Sequence, residues 1–319
     1  MSDSASNASP VKATPIRVAL ISDGVTPRTG YGTFTCTLAD GLAARNDIDP
    51  CVLVPKESPI PNNFGLASAT QAVLPSPWTS FRSRPDKFLQ FFRTGFPLDG
   101  VDLIHTVVEF PYAITAWRLA NRLRVPFVVS VHGTFAVIPF SRFPVNTIYR
   151  AAMRNASAIT APSNFTADAF RQASGLRKEV GIVGNPVDTS RFQNPTDTNK
   201  TRQSIGLPEN SRVILSVGVI KSRKGFDLLI RAFGKISSEE PNVHLVIAGT
   251  LLTGSPENLL SLARSLGLQD NVHILLDVDD ESLVALYQMC DVFALLPREF
   301  MGHFEGFGIV YLEAGACGK

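Results

Sequence analysis

The sequence predicts an α/β protein built from two doubly wound parallel sheets. Short apolar strand-like runs alternate with helix-period apolar stripes from Ile16 onward. A stretch rich in Pro, Asn, Asp and Thr interrupts this alternation at 184–210, after which it restarts. At 319 residues the chain also exceeds what one hydrophobic core comfortably organises.

Residues 1–14 are rich in Ser, Ala and Asn with no apolar run, and are expected to form a disordered tail. A first domain is expected over 15–190. It opens with a strand at 16–21, a glycine-bearing loop through Gly32, and a helix carrying Phe34, Leu38 and Leu42 at helical spacing. A second strand follows at 51–54. The region 55–100 has most of the Pro clusters and reads as irregular. Alternation then gives strands at 101–104, 126–131, 158–160 and 180–183, with helices at 112–123, 146–154 and 164–172.

A connector is expected at 191–210 and a second domain at 211–319. Its strands are read at 212–217, 244–248, 272–275 and 292–295. Its helices carry the stripe Phe226, Leu229, Ile230, Phe233 and Ile236, then cover 256–266 and 281–289. Repeated βα units imply parallel strands with helices on both faces, and two such units set a cleft between them. The chain stops just after a helix without a closing strand, so the second domain is expected to be incomplete and this form poorly active.

Composition narrows the function classes. A formal charge of +2, with Lys and Arg scattered, argues against a nucleic-acid partner. Cys36, Cys51, Cys290 and Cys317 lie on apolar segments without metal-like spacing and read as reduced core thiols of a cytoplasmic protein. No stretch is long and apolar enough to span a bilayer.

The most informative stretch is Glu305-Gly306-Phe307-Gly308-Ile309-Val310-Tyr311-Leu312-Glu313-Ala314. Eight helical steps would leave its carboxylates roughly 80° apart in azimuth and about 12 Å apart along the axis. They cannot be a matched pair on one helical face. Glu305 is therefore placed in a loop, Gly306 to Gly308 on a tight turn, and Glu313 in the following helix. Glycines there let a ligand approach the backbone, and free amides at the helix start suit a phosphate. An acid at the loop, amides for phosphate and a deeper acid for ribose hydroxyls describe a nucleotide-sugar site.

Lys221, Arg223 and Lys224 follow a strand and precede an amphipathic helix. They read as a clamp on a departing diphosphate, with a solvated basic turn as the alternative. His132 ends an apolar strand, where ligand crevices open in such sheets, and is expected to contact the sugar. His105 also ends a strand and reads as structural.

Gly30-Tyr31-Gly32 could form a turn contacting phosphate or sugar. A dinucleotide loop fits poorly, because the third glycine and a strand-end acid are missing. Asp277-Val278-Asp279 precedes a helix, where Asp279 or Asp280 would cap amides rather than bind metal. The segment 81–96 mixes Arg82, Arg84, Lys87 and Arg93 with Phe88, Phe91 and Phe92. It reads as a helix burying its phenylalanines, with peripheral contact to an anionic membrane as the other reading.

From about Ile16 to its end the chain resembles the GT-B glycosyltransferases of the family-4 type and is similar to phosphatidylinositol mannosyltransferases. Pro297-Arg298-Glu299 with the Glu305–Glu313 run carries most of the likeness. Val131-His132-Gly133 resembles the motif whose His touches the donor sugar. Asn185-Pro186-Val187-Asp188 resembles the family's hinge, with Pro where Gly is usual. Val217-Gly218 through Lys224-Gly225 resembles the phosphate-clamp loop, with Val219 where the family has Arg. Lys221 or Arg223 is then left to reach the diphosphate.

The resemblance implies two Rossmann-like domains, the first for the acceptor and the second for the nucleotide sugar. It implies a retaining hexosyltransferase acting on a glycan or lipid-linked acceptor. Its co-substrate is a nucleoside-diphosphate sugar, with no cofactor and no metal. His132, Glu305 and Lys224 are the expected catalytic residues. Gly32, Lys221, Arg223, Lys224, Gly306, Phe307, Gly308 and Glu313 are the expected donor contacts. A non-catalytic nucleotide-sugar binder and a sugar-nucleotide epimerase are the other readings.

Overall fold

The computed structural model describes residues 14–26, 29–77, 88–96, 98–251 and 256–319. The expected tail lies outside these residues up to position 13, as does 81–87 of the basic-aromatic segment.

The first sheet contains β1 (Ile16–Ile21), β2 (Ile48–Pro55), β3 (Thr70–Leu74), β4 (Leu103–Thr106), β5 (Phe127–Ser130), β6 (Ala158–Ala161) and β7 (Gly181–Ile182). All pairs are parallel, in the order β3-β2-β1-β4-β5-β6-β7. Helices α1 (Gly30–Ala43), α2 (Tyr112–Leu123), α3 (Thr134–Val137), α4 (Val145–Asn155) and α5 (Asn164–Ser174) connect them.

Strand periodicity explains why this sheet is covered twice. Val18, Leu20, Val52 and Val54 pack with Ala39 of α1 on one face. The intervening Ala19, Ile21, Cys51 and Leu53 pack with Tyr112, Ala116 and Leu119 of α2 on the other. Successive strand residues point to opposite faces, so a continuous apolar run needs helices on both sides.

The second sheet repeats the plan with β8 (Arg212–Val217), β9 (Val243–Gly249), β10 (Val272–Leu276) and β11 (Val292–Phe293). They are parallel in the order β10-β9-β8-β11, the same winding as β3-β2-β1-β4. Its helices are α6 (Thr198–Ser204), α7 (Phe226–Glu239), α8 (Pro256–Ser265), α9 (Asp280–Met289) and α10 (Ile309–Ala316). Val213, Leu215 and Val217 pack toward α9, while Leu245 and Ile247 meet Phe226, Ile230 and Phe233 of α7.

Two expectations need correction. The region 55–100 contains β3, whose Thr70-Gln71-Ala72-Val73-Leu74 is a short edge strand too polar to stand out by pattern. The expected connector 191–210 holds α6, because Asp197 caps it by accepting from the Lys200 amide at 3.0 Å. Flanking Phe192 and Leu207 are buried in the second core. In the basic-aromatic segment Phe88 is helical and is followed by a 3₁₀ turn at Leu89–Phe92, while the helix expected over 81–87 lies outside the described residues. Phe91 is fully buried there, contributing about 2 kcal/mol, with Phe88 and Phe92 packed on the same core.

Candidate functional site

In parallel sheets the loops leaving the carboxyl ends of the strands line the crevice, which opens where the winding reverses. The first sheet reverses between β1 and β4, and the second between β8 and β11. Asp23 follows β1, Glu109 follows β4 and His132 follows β5. In the second domain Lys221, Arg223 and Lys224 follow β8, and Glu305 to Gly308 follow β11.

Glu305 receives the ammonium of Lys224 at 2.7 Å and also pairs with the Arg223 guanidinium. Burial by itself would raise the Glu305 pKa; Lys224 and Arg223 outweigh it and hold the carboxyl below its ordinary range. Burial lowers the pKa of Lys224, opposed by Glu305 and reinforced by Arg223. Lys221 is lowered by burial, then by its neighbours Arg223 and Lys224. The three cations thus form a compact positive cluster balanced by one acid.

The Glu305 loop is seated on the first domain. A Cβ at Gly306 would lie 1.9 Å from the main-chain oxygen of His132, so only glycine permits this approach. The Gly306 carbonyl accepts from the hydroxyls of Ser163 and Thr166, each at 2.9 Å. Thr134 accepts from the Phe304 amide at 3.0 Å and donates to the Phe304 carbonyl at 3.2 Å. Phe165 and Phe304 meet edge-on, with ring centroids 5.3 Å apart.

His132 is held by α1. Its ring lies edge-on to Tyr31 at 5.5 Å and to Phe34 at 4.6 Å. Burial, with His105 adding repulsion, lowers its pKa to about 3, so the imidazole is neutral. The Asn185 side chain faces the His132 ring and favours its protonated form, while Oδ1 of Asp23 is buried without a hydrogen-bond partner among the described residues. His105 is bonded through Nε2 to the Ser130 hydroxyl at 2.8 Å, in keeping with a structural role.

Glu313 lies in the second turn of α10 and is buried. One oxygen accepts from Arg191 at 3.1 Å and the other from the Tyr287 hydroxyl at 2.7 Å. Arg191 also pairs with Asp280. Each carboxylate oxygen keeps a second lone pair for a further donor.

The remaining expected residues are placed less simply. Gly32 lies inside α1 rather than in a loop, because Thr29 caps that helix by accepting from the Gly32 amide at 3.1 Å. A Cβ there would lie 2.1 Å from the Thr26 oxygen, which makes close chain packing its evident use. Gly308 caps α10 at a left-handed φ of 84°, and Phe307 beside it is half-buried. Asp279 caps α9, accepting from the Ser282 amide at 2.8 Å. The four cysteines are free thiols.

Glu109, Arg191 and Tyr287 escaped sequence reasoning. Glu109 had a readable signal, as a carboxylate in the apolar run after a strand. Arg191 and Tyr287 had none, since what matters is their meeting at Glu313 across long separations in sequence.

Comparison with known proteins agrees with this geometry. Residues 28–191 match Glycosyltransferase Family 4, and 197–319 match Glycosyl transferases group 1. The GDP-mannose-dependent alpha-(1-6)-phosphatidylinositol monomannoside mannosyltransferase of Mycolicibacterium smegmatis is 34% identical over 208 residues, covering 63% of this chain and 52% of the relative. D-inositol 3-phosphate glycosyltransferase 2 of Catenulispora acidiphila is 30% identical over 234 residues, covering 68% and 53%. The chain thus spans about half the length of these curated relatives.

Among solved structures, Anabaena Alr3699/HepE in complex with UDP and glucose superposes with a TM-score of 0.71 at 21% identity, covering 95% of this chain and 79% of that one. A glycosyltransferase from Rickettsia africae gives a TM-score of 0.73 at 17% identity, covering 96% and 78%. These likenesses bear on the fold alone. With the two facing crevices, the Glu305 loop and a family match over more than half of its length, this chain belongs to glycosyltransferase family 4 and has the GT-B fold.

Proposed function

We propose that the protein is a retaining hexosyltransferase, moving a hexose from a nucleoside-diphosphate sugar to a hydroxyl of a glycan or lipid-linked acceptor. The observation that carries this reading is the meeting of Glu305, Lys224 and Arg223 with the His132 loop across the cleft. Cations sit where a diphosphate would leave, and an acid and a neutral imidazole sit where its sugar would lie.

In this reading Lys224 and Arg223, with Lys221 behind them, stabilise charge growing on the diphosphate. The Gly306–Gly308 backbone flanks the same groups, and Glu313 accepts from ribose hydroxyls beside Tyr287. Glu305 and His132 hold sugar hydroxyls. The buried, unpartnered Oδ1 of Asp23 suits a hydroxyl donor of the ligand.

Same-face attack on an oxocarbenium-like centre keeps the anomeric configuration, and the leaving diphosphate takes the acceptor proton. Side-chain cations supply the charge, so this route needs no metal or cofactor. Seating of the Glu305 loop on Thr134, Ser163 and Thr166 limits water at the reacting bond.

A groove of about 700 Å³ opens beside the site between Ile138, Phe140 and Arg142 of the first domain and Phe300, Met301 and His303 of the second. Its apolar walls with the Arg142 guanidinium among them suit an acceptor bearing an apolar tail and a phosphate. No helix among the described residues is long and apolar enough to cross a membrane. A cytoplasmic enzyme working at a membrane face fits this reading, and flotation with anionic vesicles tests the contact.

The donor base is the open choice: the mycobacterial relative is named for GDP-mannose, and the Anabaena protein was solved with UDP. A thermal-shift screen of UDP, GDP and their hexoses, followed by anomer-resolved NMR of the product, tests the proposal. Binding of one donor and a retained anomer are expected. Absence of binding to every nucleotide and sugar nucleotide would overturn it.

A further inference from the structure

Glu109 has no solvent exposure and no place in the mechanism above. It leaves β4 at the reversal point of the first sheet. Both its oxygens lie 3.2 Å from the Tyr31 hydroxyl, which donates to them. The main-chain N–H of His132 also faces this carboxyl and favours its charged form. Tyr31 in turn meets the His132 ring edge-on. One side chain therefore bears on His132 twice: through the main chain whose carbonyl seats Gly306, and through the ring by way of Tyr31.

We propose that Glu109 is a positioning residue that sets both the ring and the main chain of His132 from beneath the crevice. The groups facing it are Asp23 from the loop after β1, Tyr31 of α1, Tyr149 of α4 and the His132 main chain. Burial raises its pKa to about 8, opposed by the amides and Tyr31 and reinforced by Asp23. Ionised, the carboxyl accepts from Tyr31 and His132 together. Protonated, it keeps less capacity to accept, and its hold on the loop weakens.

The catalytic part of the test rests on the proposed transferase reading; the spectroscopic part does not. In ¹⁵N-labelled protein the His132 amide and ring signals should shift with a midpoint near pH 8. Glu109→Gln, fixed in the neutral form, should abolish that step while remaining folded. With UDP- or GDP-hexose, turnover of the wild type should rise through the same range and that of Glu109→Gln should stay flat. Glu109→Ala should lose at least about ten-fold in kcat, since small misplacements at a reacting centre are costly. Its Kd for UDP or GDP should stay within about two-fold, because those contacts lie in the other domain.

His132 signals that are flat from pH 6 to 10, a step surviving in Glu109→Gln, or wild-type turnover in Glu109→Ala would overturn the proposal. If the wild type turns over no donor, the transferase reading fails, and the His132 titration alone decides the role of Glu109.

Discussion

Lys224 reaches Glu305 across 2.7 Å, from loops that follow the two strands flanking the reversal point of the second sheet. Both side chains are largely buried, and Arg223 shares the same carboxyl. The pair keeps a cation preorganised where a diphosphate would gain charge.

Lys224→Ala should lower kcat about 10²–10³-fold, the scale of removing one preorganised electrostatic partner. Glu305→Gln should weaken sugar-nucleotide binding more than binding of the bare nucleotide, because the acid is assigned to the sugar. Calorimetry with UDP against UDP-glucose, or GDP against GDP-mannose, separates the two. Equal effects on both ligands would remove Glu305 from the sugar.

Gly306→Ala tests the seating of the loop. Its Cβ would stand 1.9 Å from the His132 oxygen, a contact that only backbone movement relieves. The cleft should open and kcat fall about 100-fold, as for a displacement near 1 Å. The melting temperature should change little, because neither core is touched. A wild-type kcat would mean that the seating plays no part in turnover.

Arg191 and Glu313 should behave as one unit. Removing Arg191 leaves a buried carboxylate held by the Tyr287 hydroxyl without its cation, at a cost of about 3 kcal/mol. Arg191→Ala with Glu313→Gln should cost less than the two single changes added together. Urea denaturation of the four proteins measures this, and strict additivity would argue against the coupling.

The pH dependence of stability has a defined sign. Burial raises Glu109 from 4.5 to about 8 and Asp23 from 3.8 to about 6, so the folded chain holds protons that the unfolded chain releases. Their contribution to stability falls as pH rises through those windows. Burial lowers His105 to about 4 and His132 to about 3 from 6.5, so their contribution is lost as pH falls below 6.5. Between about 7.5 and 8.5 the unfolded histidines and the folded Asp23 have lost their protons, and Glu109 alone among these four still differs. Stability should fall with pH there. Denaturation midpoints at pH 7.5 and 8.5 should converge in Glu109→Gln; an unchanged slope would place the proton elsewhere.

Much of this protein follows from local rules. Apolar runs of strand length between helical stripes give the two parallel sheets, because a run without alternation must be covered on both faces. The Glu305–Glu313 spacing places one acid in a loop and the other in a helix for a reason of helical geometry alone. The position of Lys224 between a strand and an amphipathic helix likewise marks a crevice loop.

Tertiary structure decided what those groups touch. That Glu305 balances two cations, that Gly306 rests on His132, and that Arg191 and Tyr287 hold Glu313 are contacts over tens to hundreds of residues. The first and last of these form around the second sheet and the middle one across the cleft; all depend on how distant elements pack, which periodicity does not encode. Polar segments such as β3 and α6 form for the same reason: their stability comes from an edge or a helix already in place rather than from a pattern of their own.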